Sequence, residues 1–245
     1  FEANGTYYYV MKYCECGSLD ERIRRSGGLS ESETLRYSNQ IGKALGYMHS
    51  KKMMHLDLKA GNIMLDDKGN AVLIDFGLSK QFDNRGEPES STTIGLGTPG
   101  YAPIEQSTYE GEGFPVTMDI YAFGATMYKM LTGKSPKTSS EMLNVGFPYE
   151  ELRNKGVSEK LIEIVSLAMK PMVKDRYQSV EELLREMEGT EIGDGEDDIV
   201  EVDPVPEPDP APAPAPVPVP APHPLPKRNW MILVIMVVVI GFGGY

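Results

Sequence analysis

Eight residues, His55-Leu56-Asp57-Leu58-Lys59-Ala60-Gly61-Asn62, hold an aspartate, a lysine and an asparagine at fixed offsets, and Asp75-Phe76-Gly77 follows shortly after. Asp57 can orient a hydroxyl and accept its proton, while Lys59 can offset negative charge on a transferring phosphoryl group. Asn62 and Asp75 each offer an oxygen to Mg²⁺, a hard cation that takes few protein ligands and completes its octahedron with water and phosphate. A base, a cation and two ligands for a hard metal together point to phosphoryl transfer.

For these side chains to act together, the chain must bring Asp75 back to the loop. Two short apolar runs, Ile63 to Leu65 and Ala71 to Ile74, flank Asp66-Asp67-Lys68-Gly69-Asn70 and predict a β-hairpin. The residues ahead of its first strand and the residue after its second then emerge at the same end. Upstream, Leu35, Ser38, Ile41, Leu45 and Met48 recur at helical spacing behind a Ser30-x-x-Glu33 capping box, which predicts a helix to Ser50. Thr6 to Tyr13 is aromatic and β-branched in character and predicts a strand, broken by Glu15 to Gly17. Downstream, Asp119 to Leu131 is apolar on nearly all sides and stops at Gly133, as a buried central helix does. Two more helices are predicted, over Ser158 to Lys170 and over Ser179 to Met187, the latter behind another Ser-x-x-Glu box.

The loop resembles the catalytic loop H-R-D-L-x-x-x-N of eukaryotic-like (Hanks-type) Ser/Thr protein kinases, and Asp75-Phe76-Gly77 resembles their D-F-G. GTPGYAPIEQ, Gly97 to Gln106, is similar to the end of an activation segment, and Asp119-Ile120-Tyr121-Ala122-Phe123-Gly124 to the start of the central helix. The likeness covers about Tyr7 to Met187 and extends to bacterial membrane-anchored members of the family. It implies an α+β protein kinase-like fold: a mainly helical C-lobe with a short β-hairpin, the N-lobe largely missing. It also implies ATP and Mg²⁺ as cofactors and protein Ser/Thr hydroxyls as acceptors, and it admits a homodimer. By the same resemblance Asp57, Lys59 and Thr98 are catalytic, with Thr98 bonded to both of the others, and Asn62 and Asp75 bind metal. Met11 is the gatekeeper beside adenine, Lys12 and Cys14 belong to the hinge, and Met64 floors the pocket; a plain core role for these positions stays open. His55, Glu105, Asp119 and Arg176 are structural, Asp119 holding the loop backbone and Arg176 pairing with Glu105.

Three departures qualify the likeness. Leu56 stands where the family has an arginine that often grips a phosphorylated activation segment, so a weaker dependence on phosphorylation at Ser90, Ser91, Thr92 or Thr93 is expected. Ala-Pro-Ile-Glu replaces Ala-Pro-Glu, with Glu105 keeping its distance from Gly97. No Gly-rich loop or strand lysine precedes the hinge, which lies about ten residues after Phe1. The chain as it stands is expected to bind ATP poorly and to expose apolar surface where a small lobe would sit. A sequence cut at both ends accounts for this, and lobe loss with a scaffolding role is the competing account.

Beyond about Met187 the composition changes. Residues 188–203 are acidic and read as a solvated linker. Proline then occupies every even position from Pro204 to Pro226, which fixes φ and removes every second N–H. That predicts an extended polyproline II spacer of ~70 Å rather than a ligand for proline-binding domains. Lys227 and Arg228 precede an uncharged run, residues 229–245, which reads as an incomplete transmembrane helix with Trp230 at the interface and its N-terminal side in the cytoplasm. The expected localisation is therefore a single-pass membrane protein with a cytoplasmic kinase domain over residues 1–187.

Charge and cysteine content remove other classes. A net charge of −12, from 36 acidic and 24 basic residues, excludes the basic patches that nucleic acid binding requires. The two cysteines, Cys14 and Cys16, stand too close for an ordinary disulfide and lack the partners of a zinc site, so they read as free thiols. The functional expectation is an ATP-dependent, membrane-anchored Ser/Thr protein kinase in signal transduction. A catalytically inactive kinase-fold interaction module, tethered to the membrane, is the alternative. A small-molecule kinase of the same fold is more distant, since GTPGYAPIE suits a polypeptide platform.

Overall fold

Helices in this chain start where a short hydroxyl side chain can cap the free N–H groups of the first turn. Full capping boxes open α1 (Leu19–Ser26) at Ser18 and Glu21, α2 (Glu31–Ser50) at Ser30 and Glu33, and, further on, Ser139–Val145 at Thr138 and Glu141. The structure is a computed structural model, and it describes residues 2–3, 6–7, 14–76, 78–83, 97–107 and 115–189. All of these fall within one unit, residues 1–204.

Three two-stranded antiparallel pairs accompany the helices. β1 (Glu2–Ala3) pairs with β2 (Thr6–Tyr7), β3 (Met53–Met54) with β6 (Lys80–Gln81), and β4 (Ile63–Leu65) with β5 (Ala71–Leu73). The predicted hairpin is the last of these, in the register Ile63 to Leu73 and Leu65 to Ala71. Its second strand ends one residue earlier than predicted, although Ile74 N–H still donates to Asn62 O at 2.9 Å. The predicted strand from Thr6 is described only over Thr6–Tyr7; residues 8–13, with Met11 and Lys12, lie outside the described residues.

The remaining helices are α3 (Val116–Thr132), α4 (Ser139–Val145), α5 (Tyr149–Arg153), α6 (Glu159–Ala168) and α7 (Val180–Glu188). The central α3 begins a turn before the predicted Asp119, behind Pro115, and buries Ile120, Tyr121, Phe123, Met127 and Met130 completely. Each of the isoleucine, phenylalanine and methionine side chains contributes about 1.5–3 kcal/mol by leaving water. α6 crosses it closely because Gly124 has no side chain: a Cβ there would lie 2.7 Å from Ala168 Cβ and 2.9 Å from Met169 Cγ. The box predicted at Ser179 is half formed. Ser179 caps Glu182 N–H, but the Glu182 carboxylate accepts from Gln178 N–H at 2.7 Å instead of from the cap residue.

α2 holds the hairpin in place. Gln40 accepts from Ala71 N–H at 2.7 Å and donates to Asn70 Oδ1 at 3.1 Å, and Arg36 donates to Gly69 O at 3.2 Å. This mainly helical layout with a few short strands is that of a protein kinase-like fold. Among the described residues no helix is long and apolar enough to cross a membrane. The predicted span 229–245, the proline-rich spacer and the acidic linker from residue 190 lie outside the described residues.

Candidate active site

The loop is fixed from below by one buried carboxylate. Asp119, fully buried on α3, accepts from the backbone N–H of His55 and of Leu56, each at 2.8 Å, and from His49 Nε2 at 2.9 Å. Burial pushes the Asp119 carboxyl up, but the hydrogen bond and charge of His49, with the charge and backbone N–H of His55, outweigh it and hold the group below the ordinary aspartate value. A carboxylate that stays ionised can accept all three bonds. His49 is a site residue that sequence reasoning missed; its partner lies 70 positions away and no local pattern marks it.

Leu56 and Asp75 take positive φ values, 63° and 61°, a conformation that costs a non-glycine residue of order 1–3 kcal/mol and persists only where the surroundings enforce it. Leu56 turns the chain so that its side chain joins a small buried cluster with Met54, Phe82 and Met118. The next residue, Asp57, faces the site.

Asp57 accepts three hydrogen bonds on its carboxylate. Thr98 Oγ1 donates to Oδ1 at 2.6 Å, and Lys59 Nζ and Asn62 Nδ2 donate to Oδ2 at 2.8 and 3.1 Å. Lys59 Nζ also donates to Thr98 Oγ1 at 2.8 Å, so base, cation and hydroxyl form a closed triangle. Asn62 is positioned by a 3-10 turn, Ala60–Asn62, and its Nδ2 also donates to Asp57 O at 2.9 Å. With its amide nitrogen committed to Asp57, its oxygen is directed elsewhere. Asp75 follows Ile74, whose N–H is bonded to Asn62 O, so hairpin pairing brings the two predicted metal ligands to one end. Among the described residues there is no cluster of three His, Cys, Asp or Glu side chains that could hold a metal alone. Two oxygen ligands completed by phosphate and water fit Mg²⁺ better than a site made wholly of protein groups.

Cys14 is buried and begins a segment that runs along β4: Leu65 N–H donates to Gly17 O at 2.9 Å, and Ser18 pairs with Met64, which is half-buried. Cys14 and Cys16 are free thiols. Beside the hairpin Val72 and Phe76 are 37% and 48% exposed. His55 stacks at a tilt on Phe76, ring centres 5.6 Å apart.

The segment from Gly97 is anchored at its far end. Arg176, with no exposed side-chain surface, forks onto Glu105, Nη1 reaching Oε1 and Nη2 donating to Oε2 at 3.1 Å. It also donates to the carbonyls of Lys170, Pro171 and Thr117 at 2.5, 2.8 and 3.1 Å, and lies 4.9 Å over the Tyr121 ring. The structure therefore brings together Asp57, Lys59, Asn62 and Thr98, places His55, Asp119, Glu105 and Arg176 beneath them, and leaves Met11 and Lys12 outside the described residues.

A helical lobe with a carboxylate, an ammonium group and two oxygen-bearing side chains gathered at the end of a hairpin is the arrangement of a protein kinase-like fold. Residues 1–188 match the family described as Protein kinase domain, and the chain belongs to that family. It is 31% identical over 195 residues to Serine/threonine-protein kinase PknA of Nostoc sp., covering 77% of this chain and 34% of that protein. It is 32% identical over 205 residues to Serine/threonine-protein kinase B of Synechocystis sp., covering 80% and 34%. Over 175 residues it is 33% identical to Cell cycle serine/threonine-protein kinase CDC5/MSD2 of Saccharomyces cerevisiae, covering 71% and 24%. The chain thus spans about a third or less of the length of these relatives.

Proposed function

We propose that this chain carries the large lobe of a Ser/Thr protein kinase that moves the γ-phosphoryl group of ATP to serine and threonine hydroxyls of proteins. The observation that supports this best is the Asp57 carboxylate, held at once by Lys59, Asn62 and Thr98. A group so oriented can take the proton of an attacking hydroxyl as its oxygen bonds to the γ-phosphorus and the bond to the leaving ADP oxygen breaks. Lys59 then stabilises charge on the transferring group, and Thr98 keeps the base and the cation in register. Asn62 and Asp75 would hold Mg²⁺, which offsets the charge of the phosphates when bound. Met11, Lys12 and Cys14 would meet adenine from the hinge, with Met64 below it. The names of the relatives, all serine/threonine-protein kinases in the cases given, agree with this reading.

Asp75→Asn in the natural full-length protein is expected to raise the Mg²⁺ concentration needed for transfer at least about tenfold, the loss usual for a perturbed metal site. An unchanged Mg²⁺ dependence would remove Asp75 from the metal.

The proposal includes a membrane anchor with the kinase lobe on the cytoplasmic side and a role in signal transduction. Its support is the uncharged run 229–245 behind Lys227 and Arg228 and the proline at every even position from Pro204 to Pro226, a composition that would serve as a spacer between lobe and bilayer. Removing the residues from Asn229 onward should shift the protein from the membrane fraction to the soluble one. A truncated protein that still pellets with membranes would contradict the anchor.

A further inference from the structure

Asp57 and Thr98 come from segments 41 positions apart, yet their side chains meet at 2.6 Å. The side-chain bonds among them can keep that distance only while the two backbone segments beneath stay in register. Three anchors have been described: Asp119 under the loop, Arg176 on Glu105, and Lys59 across the gap. None of them ties the backbone of one segment directly to the other.

Gln106 does. It follows Glu105 in a 3-10 turn, Ile104–Ser107, and is 2% exposed. Its Nε2 donates to Leu56 O at 2.8 Å, a buried bond across 50 positions. The same nitrogen lies against Gly97: a Cβ added there, where φ is +66°, would meet Gln106 Nε2 at 2.7 Å and Ala102 Cβ at 2.9 Å. One amide is therefore seated between the residue before Asp57 and the residue before Thr98.

The bond also bears on the strained residue. Leu56 is held in its left-handed conformation at both backbone groups, its N–H by Asp119 at 2.8 Å and its C=O by Gln106. An arginine at that position could add a side-chain tie to the activation segment, but Leu56 points into an apolar cluster and offers none. The carbonyl is the polar handle that remains. Without the amide it is a buried acceptor with no donor, which favours relaxation of the turn that aims Asp57.

We infer that Gln106 is a positioning residue, which sets the register between the catalytic loop and the segment from Gly97 through the Leu56 carbonyl and so fixes the Asp57 to Thr98 distance. The kinetic side of this inference rests on the proposed phosphoryl transfer; the structural side does not. A displacement of the base by about 1 Å is enough to cost on the order of 100-fold in rate.

Gln106→Met in the natural full-length protein keeps the length and fill of the side chain and removes only the amide. Amide hydrogen exchange over residues 55–59 is expected to become about 10- to 100-fold faster, with α2 and α3 unchanged, which corresponds to one buried hydrogen bond left unmade. The kcat for transfer is expected to fall by a similar factor while KM for ATP and for the protein acceptor stays within about twofold, a split that loss of packing alone would not produce. If the wild type shows no transfer, the proposed function fails and the exchange measurement alone decides the role of Gln106. Exchange over 55–59 within about twofold of wild type would overturn the inference. Gln106→Glu, of equal size but unable to donate as a carboxylate, replaces the methionine variant if that protein does not fold, with the same readings.

Discussion

Replacing Asp57 by asparagine is expected to lower the rate of phosphoryl transfer by about 10²–10⁴-fold, the usual contribution of a positioned general base. The substitution is nearly isosteric. The asparagine oxygen can still accept from Lys59 Nζ and Asn62 Nδ2 while its NH2 group, in the place of Oδ1, donates to Thr98 Oγ1, so the contacts now at 2.6–3.1 Å lose the charge and the acceptor at one position but keep their shape. MgATP affinity should stay close to wild type, because Asn62 and Asp75 hold the metal in this account and Asp57 holds the acceptor hydroxyl. Single-turnover measurement with a binding titration separates these effects. Transfer within about threefold of the wild-type rate would take Asp57 out of the role of base.

The second large effect is on stability. Arg176→Ala should destabilise the lobe by about 3–5 kcal/mol, the range for removing one partner of a buried ion pair. The reason is visible in what the guanidinium leaves behind: the Glu105 carboxylate, the buried carbonyl of Thr117 and the part-buried carbonyls of Lys170 and Pro171 each lose the bond that Arg176 donates. For a protein of this size that corresponds to a fall in Tm on the order of 10 °C. Arg176→Lys should recover little of it, since an ammonium cannot reproduce the planar fork that meets two carboxylate oxygens while donating sideways to carbonyls. A melt of the alanine variant within about 2 °C of wild type would show that the pair is not a stabilising anchor.

What could be read from the sequence, and what could not, follows from how local each determinant is. The offsets within residues 55–62 and the hairpin that returns Asp75 are short-range features, and the register Ile63 to Leu73 delivers the hairpin that the two apolar runs and the turn residues between them predict. α2 starts where Ser30 and Glu33 say it should, and α3 is buried almost all round, as its apolar sequence indicates. The helices α1, α4 and α5 were not predicted. The first two carry Ser18-x-x-Glu21 and Thr138-x-x-Glu141 boxes, which were available as signals, but at 8 and 7 residues they are too short to show a clear apolar period. α5, at 5 residues, begins behind Pro148 without a side-chain cap.

His49 and Gln106 mark the other limit. Their partners, Asp119 and Leu56, lie 70 and 50 positions away, and a hydrogen bond to a distant carboxylate or backbone carbonyl leaves no periodic trace in the chain. Glu182 illustrates the same point at close range: its reach to Gln178 rather than Ser179 depends on the rotamer adopted at the start of α7, which spacing alone does not select.

The account stands or falls on whether the protein phosphorylates serine and threonine. The direct measurement is to incubate the natural full-length protein with γ-labelled ATP, Mg²⁺ and a protein acceptor such as casein, then hydrolyse the acceptor and separate its phosphoamino acids. Label on phosphoserine or phosphothreonine, absent without Mg²⁺ and reduced to background by Asp57→Asn, is the result predicted. A folded wild-type protein that transfers no more label than the Asp57→Asn variant would contradict the account and leave a kinase fold used for binding alone.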